Sequence, residues 1–151
     1  MSFAKPSLKG RALRLLSGRE YSRLELEHKL KSFEEEPGTL AQALDELQAK
    51  GFINEQRVID SIVHRRAAKL GLTRIRQELQ GKGLAPEAVA QALAGLQATE
   101  SERAMEVWRK KFGVPAVDAQ TAAKQMRFLA SRGFGGDVIR RVVAGAQTTD
   151  L

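Results

Sequence analysis

Leu79-Gln-Gly-Lys82-Gly83-Leu84, followed by Val89 and Leu93, superposes in spacing on Leu129-Ala-Ser-Arg132-Gly133-Phe134, followed by Ile139 and Val143. Each segment reads as a helix, a glycine turn and a second helix, so the chain carries an internal repeat. In each, the glycine stops its helix by taking a positive φ just past the last turn, and the Leu or Phe after it is expected to fold back onto the core. Leu47-Gln-Ala-Lys50-Gly51-Phe52 shows the pattern again, in a different register.

The 3.6-residue apolar period continues on both sides of these turns, and no segment keeps a strand-like alternation for long. Leu8, Ala12, Leu15 and Leu16 form a first stripe ending at Gly18. Ser22 with Glu25 makes a capping box for a helix through Leu26 and Leu30. After the charged break Glu34-Glu35-Glu36-Pro37-Gly38, the stripe Leu40, Ala43, Leu44 and Leu47 completes three helices. Asn54 caps a helix carrying Val58, Ile59, Ile62, Val63, Ala67 and Leu70. Thr73 is expected to cap a short helix with Ile75 and Leu79, and Pro86 to open one carrying Val89, Ala92, Leu93 and Leu96. Thr99 with Glu102 suggests a further capping box, ahead of Ala104, Trp108 and Phe112. Asp118 precedes Ala122, Met126, Leu129 and Ala130, and Val138, Ile139, Val142 and Val143 line the last helix. The expected fold is all-α: three tandem three-helix, helix-turn-helix-like modules over 1–53, 54–98 and 99–151, in an extended, curved array.

The absence of cysteine among 151 residues excludes disulfides, thiolate zinc sites and cysteine nucleophiles, and it fits a reduced cytoplasm. Neither a secretory leader nor a membrane-length apolar run is present, so a cytoplasmic location is expected. No chemistry suggests an enzyme, and no cofactor or metal is implied. His28 and His64 lie on different helices without a ligand-spaced partner, the side chains of Glu34, Glu35 and Glu36 splay apart, and Gly133, Gly135 and Gly136 lack the strand and Lys-Ser/Thr of a phosphate loop.

What remains is charge. The formal net charge is +7 and the isoelectric point near 10.1, which predicts an acidic partner. Basic and acidic side chains number 9 and 8 in residues 1–53, 7 and 4 in 54–98, and 9 and 6 in 99–151, so the excess lies in the last two thirds. The candidate binding residues stand off the apolar stripes: Arg65 and Lys69, then Arg74, Arg76 and Lys82, then Arg109, Lys110 and Lys111 at a helix end, Lys124 and Arg127 at i,i+3, Arg132, and Arg140 with Arg141 opposite Val138 and Val142. Singly, such residues serve as solvated faces and helix C-terminal cations. Together they favour a phosphate-backbone footprint or an acidic protein groove. Base stacking is not expected to dominate, because Phe52, Trp108, Phe112, Phe128 and Phe134 fall beside stripe positions or turns and are expected in the core. No second helix carries the Arg, Asn and Gln run suited to base-edge readout.

Four ordered stretches resemble the RecX family, the bacterial regulators of RecA recombinase. Gly71-Leu-Thr-Arg74-Ile-Arg76-Gln-Glu-Leu79, continuing to Lys82-Gly83-Leu84, looks like the family hallmark. Ala12-Leu-Arg-Leu-Leu16 leads to Tyr21-Ser22 and Glu25-Leu26, and Gly51-Phe-Ile-Asn54 leads to Arg57. Arg109-Lys110 runs through Phe112-Gly113 to Arg127-Phe-Leu129 and Arg132-Gly133-Phe134. The chain departs from the family pattern in Asn54-Glu55, where an acidic pair is usual, and in Phe134, where Tyr is common. The resemblance implies binding in the groove of the RecA–DNA filament, contact with single- and double-stranded DNA, a monomeric protein, and restraint of RecA's ATPase, strand-exchange and coprotease activities and of the SOS response. It places the first wager on Arg74, Arg76 and Lys82, then on Arg109, Lys110, Arg127 and Arg132. The alternative is a general DNA-binding helical protein without specific effect on RecA.

Overall fold

The computed structural model describes residues 5–148, with side chains to residue 145; the outer ends of the first and third expected modules lie outside the described residues. Among the described residues there are nine α-helices and no strand. They are α1 (Leu8–Gly18), α2 (Arg23–Leu30), α3 (Thr39–Ala49), α4 (Glu55–Arg66), α5 (Leu72–Gln80), α6 (Pro86–Ala98), α7 (Glu100–Lys111), α8 (Ala119–Ser131) and α9 (Gly136–Thr148), with one 3₁₀ turn at Lys31–Phe33. None is long and apolar enough to cross a membrane.

The stripes resolve into three separate cores. Ala12, Leu26, Leu44 and Leu47 are fully buried among α1, α2 and α3. Val58, Ile59 and Ile62 of α4, Ile75 and Leu79 of α5, and Val89 and Leu96 of α6 form the second. Ala104, Trp108, Leu129, Phe134 and the four branched residues Val138, Ile139, Val142 and Val143 fill the third, where α9 packs on both α7 and α8. Burying an aliphatic side chain of this size stabilises by roughly 1.5–3 kcal/mol, so each core contributes to holding its own bundle.

Local caps follow the sequence where donor and acceptor are near neighbours. Ser22 and Glu25 form the reciprocal capping box, Asn54 accepts from the Arg57 amide at 2.9 Å, and Asp118 from the Thr121 amide at 2.7 Å. Glu34, in the charged break, accepts from the Leu40 amide at 2.9 Å and so caps α3. Gly51, Gly83 and Gly133 all have the positive φ expected of helix-ending turns.

Four expectations need correction. Thr99 and Glu102 form no capping box: α6 runs almost directly into α7, and the Thr99 hydroxyl turns back to donate to the Leu96 carbonyl while accepting from Arg103 Nε at 3.1 Å. Phe52 does not enter the core but stays 47% exposed, because the chain leaves Gly51 so that Ile53 takes the buried place. Ala130 is exposed too, and the buried polar residue on α8 is Gln125, which accepts 2.8 Å from the Trp108 indole N–H and donates 3.1 Å to the Val114 carbonyl. Thr73 does not cap α5: it lies in the first turn of that helix, whose N-cap is Gly71.

Candidate functional site

Helix α5 begins at Gly71, which has no side chain to cap it, and Thr73 lies inside the first turn rather than before it. The orphan amides at this helix start are satisfied from the third module instead. Gly71 N–H donates to the Arg132 carbonyl at 2.8 Å, Thr73 N–H to the Gly133 carbonyl at 3.1 Å, and Leu72 N–H to the buried carboxylate of Glu100 at 3.2 Å. The positive end of α5 thus meets the carbonyl-rich end of α8, an alignment that favours both helix dipoles. Arg74 then reaches back to the Ser131 carbonyl at 2.7 Å.

The approach is so close that it needs glycine on both sides. A Cβ at Gly71 would lie 2.4 Å from the Phe134 nitrogen, and one at Gly133 would lie 2.2 Å from Arg74 Cγ. Arg103 completes the joint by donating to the Ala67, Leu70 and Leu96 carbonyls at 3.0, 2.8 and 2.9 Å. Burial holds the Arg103 pKa below the usual arginine range, with the Glu100 charge opposing that shift.

The joint between the first and second modules is built from ion pairs. Lys82 Nζ lies 2.9 Å from Glu25 Oε2, which Arg19 also meets at 2.9 Å, and Arg57 meets Glu20 at 2.9 Å. Gly83 leaves no room for a side chain against Leu24 of the first module, while within the second module the Ala85 amide donates to the Glu55 carboxylate. Burial of the Glu25 carboxyl opposes its ionisation, but Arg19, the Ser22 amide and Lys82 outweigh that cost and lower its pKa from 4.5 to about 2. A carboxylate depressed in the folded state contributes stability that is complete above its unfolded pKa and is lost as pH falls through the folded value. Glu25→Gln is therefore expected to cost about 2 kcal/mol at pH 7, with the gap to wild type closing between pH 4.5 and about 2. Urea midpoints measured across that range check it; a gap independent of pH would contradict the ion-pair account.

These joints sort the candidate cations. Arg74 and Lys82 are engaged between modules, on Ser131 and Glu25. Arg109 pairs with Glu106 at 2.8 Å, while Arg140 and Arg141 both turn to Asp137, one to its carboxylate and one to its carbonyl. Lys111 and Arg132 flank the ring of Phe128, at 5.2 and 4.9 Å from its centroid, and Phe112 meets the same ring edge-on at 5.4 Å. Arg65, Lys69, Arg76, Lys110, Lys124 and Arg127 are exposed and form no ion pair among the described residues.

Several of these converge on one place. Arg132 gives its carbonyl to Gly71, Lys69 stands two residues before Gly71, and Lys124, Arg127 and Ser131 share one face of α8 leading to Arg74. Lys69, Arg74, Lys111, Lys124, Arg127 and Arg132 thereby form a cationic band around the joint of the second and third modules. Arg65, Arg76 and Lys110 are exposed on α4, α5 and α7, and Arg109, Arg140 and Arg141 are held within their own helices. The residues that fix the joint, Gly71, Glu100 and Arg103, do not stand out in the sequence as site residues, and neither does Glu25. Gly71 is marked only by the hallmark stretch and Glu25 only by its capping box and matched stretch, while Glu100 and Arg103 carry no sequence signal. Among the described residues no cluster of His, Asp and Glu could hold a metal ion.

Comparison with known proteins matches all three modules in chain order. The models of the first, second and third three-helix domains of RecX match residues 9–47, 54–93 and 98–143. The Regulatory protein RecX of Leptothrix cholodnii is 52% identical over 137 residues, covering 91% of this chain and 87% of its own. That of Herminiimonas arsenicoxydans is 43% identical over 150 residues, covering 99% of each. Among solved structures, RecX from Lactobacillus salivarius superposes with a TM-score of 0.76 at 20% identity over 93% of this chain and 95% of its own, a likeness of fold. With each module matched in order and close relatives aligned along almost its whole length, the chain belongs to the RecX family of regulatory proteins, which are not enzymes.

Proposed function

We propose that this protein binds the RecA–DNA filament in the cytoplasm as a monomer and restrains RecA's ATPase, strand-exchange and coprotease activities, and through them the SOS response. The observation that carries the reading is the cationic band around a locked joint. Exposed Lys69, Lys124 and Arg127 have no carboxylate partners among the described residues, so phosphates can neutralise them without first displacing an internal ion pair. The joint holds them in a fixed relation across two modules, which suits a repeating, rigid target better than a flexible strand. Engaged Arg74 and Lys82 act here as positioning residues, keeping successive modules in register along the filament. The family name, Regulatory protein RecX, supports a regulatory role for that binding.

The test is RecA ATPase on single-stranded DNA titrated with substoichiometric protein. The reading predicts inhibition well below one protein per RecA. No inhibition, together with tight binding to bare DNA that falls steeply with salt, would instead make this a general DNA-binding protein.

A further inference from the structure

The first module has a charged surface that neither joint uses. Between α1 and the end of α2 lies an open groove of about 500 Å³, with Leu15, Leu30 and Phe33 as its apolar lining and Arg11, Arg14 and Lys29 around it. Phe33, on the 3₁₀ turn, is 45% exposed, which is unusual for a phenylalanine in a chain whose other aromatic rings mostly serve the cores. The Arg11 guanidinium lies 3.9 Å over its ring. None of the three cations has a carboxylate partner among the described residues. Of the other cations in the module, Lys9 pairs with Glu46, Arg19 with Glu25, and Arg23 with Glu27 and Asp45. Arg11, Arg14 and Lys29 thus leave positive charge without a carboxylate partner beside exposed apolar surface.

We propose that this groove docks an acidic peptide segment of a partner protein, seating one large apolar side chain against Leu15, Leu30 and Phe33 and placing carboxylates on Arg11, Arg14 and Lys29. Charge complementarity selects the acidic character, and the aliphatic lining selects the apolar side chain. Nucleic acid fits less well for three reasons. The Phe33 face that would stack a base is already covered by Arg11. The adjoining hollow, which shares Arg11 and Phe33 with the groove and is also lined by Lys5, carries Glu35 and Glu36, which would repel a phosphate chain running past the groove. The first module as a whole is close to neutral, with 9 basic and 8 acidic side chains. A short acidic segment can end before the glutamates; a polyphosphate backbone cannot. This inference does not rest on the filament reading.

The experiment is fluorescence anisotropy of the full chain with a fluorescein-labelled, amidated peptide Asp-Glu-Phe-Glu-Glu-Leu-Asp at about 0.15 M salt, with unlabelled oligothymidylate as competitor. Saturable binding is expected, weakened at least about tenfold by Arg14→Glu with Lys29→Glu and also weakened by Phe33→Ala. These residues are exposed, so circular dichroism of the variants should match wild type. A peptide in which Phe and Leu are replaced by Ser should bind at least about fivefold more weakly. Absence of saturable binding, or binding that these variants leave unchanged, overturns the proposal. So does displacement of the peptide from the wild-type chain by oligothymidylate, which would assign the groove to nucleic acid.

Discussion

Gly133→Ala is expected to cost about 3 kcal/mol and to lower the melting temperature by roughly 6–12 °C. Two effects add at this position. The backbone sits at φ +91°, where a side chain is strained, and the new methyl would fall 2.2 Å from Arg74 Cγ, inside the joint between the second and third modules. Two other glycines separate the terms. Gly51 has φ +84° and open space around it, so Gly51→Ala should pay the backbone strain alone, about 1 kcal/mol. Gly71 has an extended conformation that alanine adopts freely, yet its methyl would meet the Phe134 nitrogen at 2.4 Å and the Gly133 carbonyl oxygen at 2.5 Å. Gly71→Ala should therefore report the close approach alone, about 2 kcal/mol. The expected order of loss is Gly133, Gly71, Gly51, measured by thermal unfolding. A Gly71→Ala protein as stable as wild type would mean that α5 and α8 do not meet as described.

That joint also shows where sequence reading stops. The helices, their stripes and the caps at Ser22, Asn54 and Asp118 rest on residues three or four apart, and periodicity and hydrogen-bonding rules act at that range. The all-α, three-module plan is legible for the same reason. Thr73 looked like a cap because a local rule favours it there, but the amides of α5 find carbonyls near residue 132 instead. Phe52 looked like core by analogy with Phe134, yet only the latter has a neighbouring helix to cover it.

The charges are the sharpest case. Arg74 and Lys82 read as free cations in the hallmark motif, but their partners Ser131 and Glu25 are each 57 residues away. Glu100 carries no local sign that it is a buried acceptor for an amide 28 residues back. Periodicity places a cation off the core; only packing decides whether another module waits for it.

The consequence for function is that charge substitutions differ in meaning. Arg74→Glu would disturb the joint as well as any binding surface, so a loss of activity there cannot distinguish position from contact. Lys124 and Arg127 are exposed, lie on one face of α8, and form no ion pair among the described residues. Reversing both should leave the fold intact, because surface substitutions of this kind shift stability by only about 0.5 kcal/mol. Binding to a phosphate backbone should suffer far more. Two attractions become two repulsions, affinity is expected to fall at least about tenfold, and the salt slope should drop by about 2.

The most direct measurement is the concentration at which the protein half-inhibits RecA ATPase on single-stranded DNA, compared between wild type and Lys124→Glu with Arg127→Glu. The cationic-band account predicts substoichiometric inhibition by wild type and a midpoint raised at least about tenfold in the variant, with unchanged helical content and melting temperature. Equal midpoints for the two proteins, both folded, would contradict it.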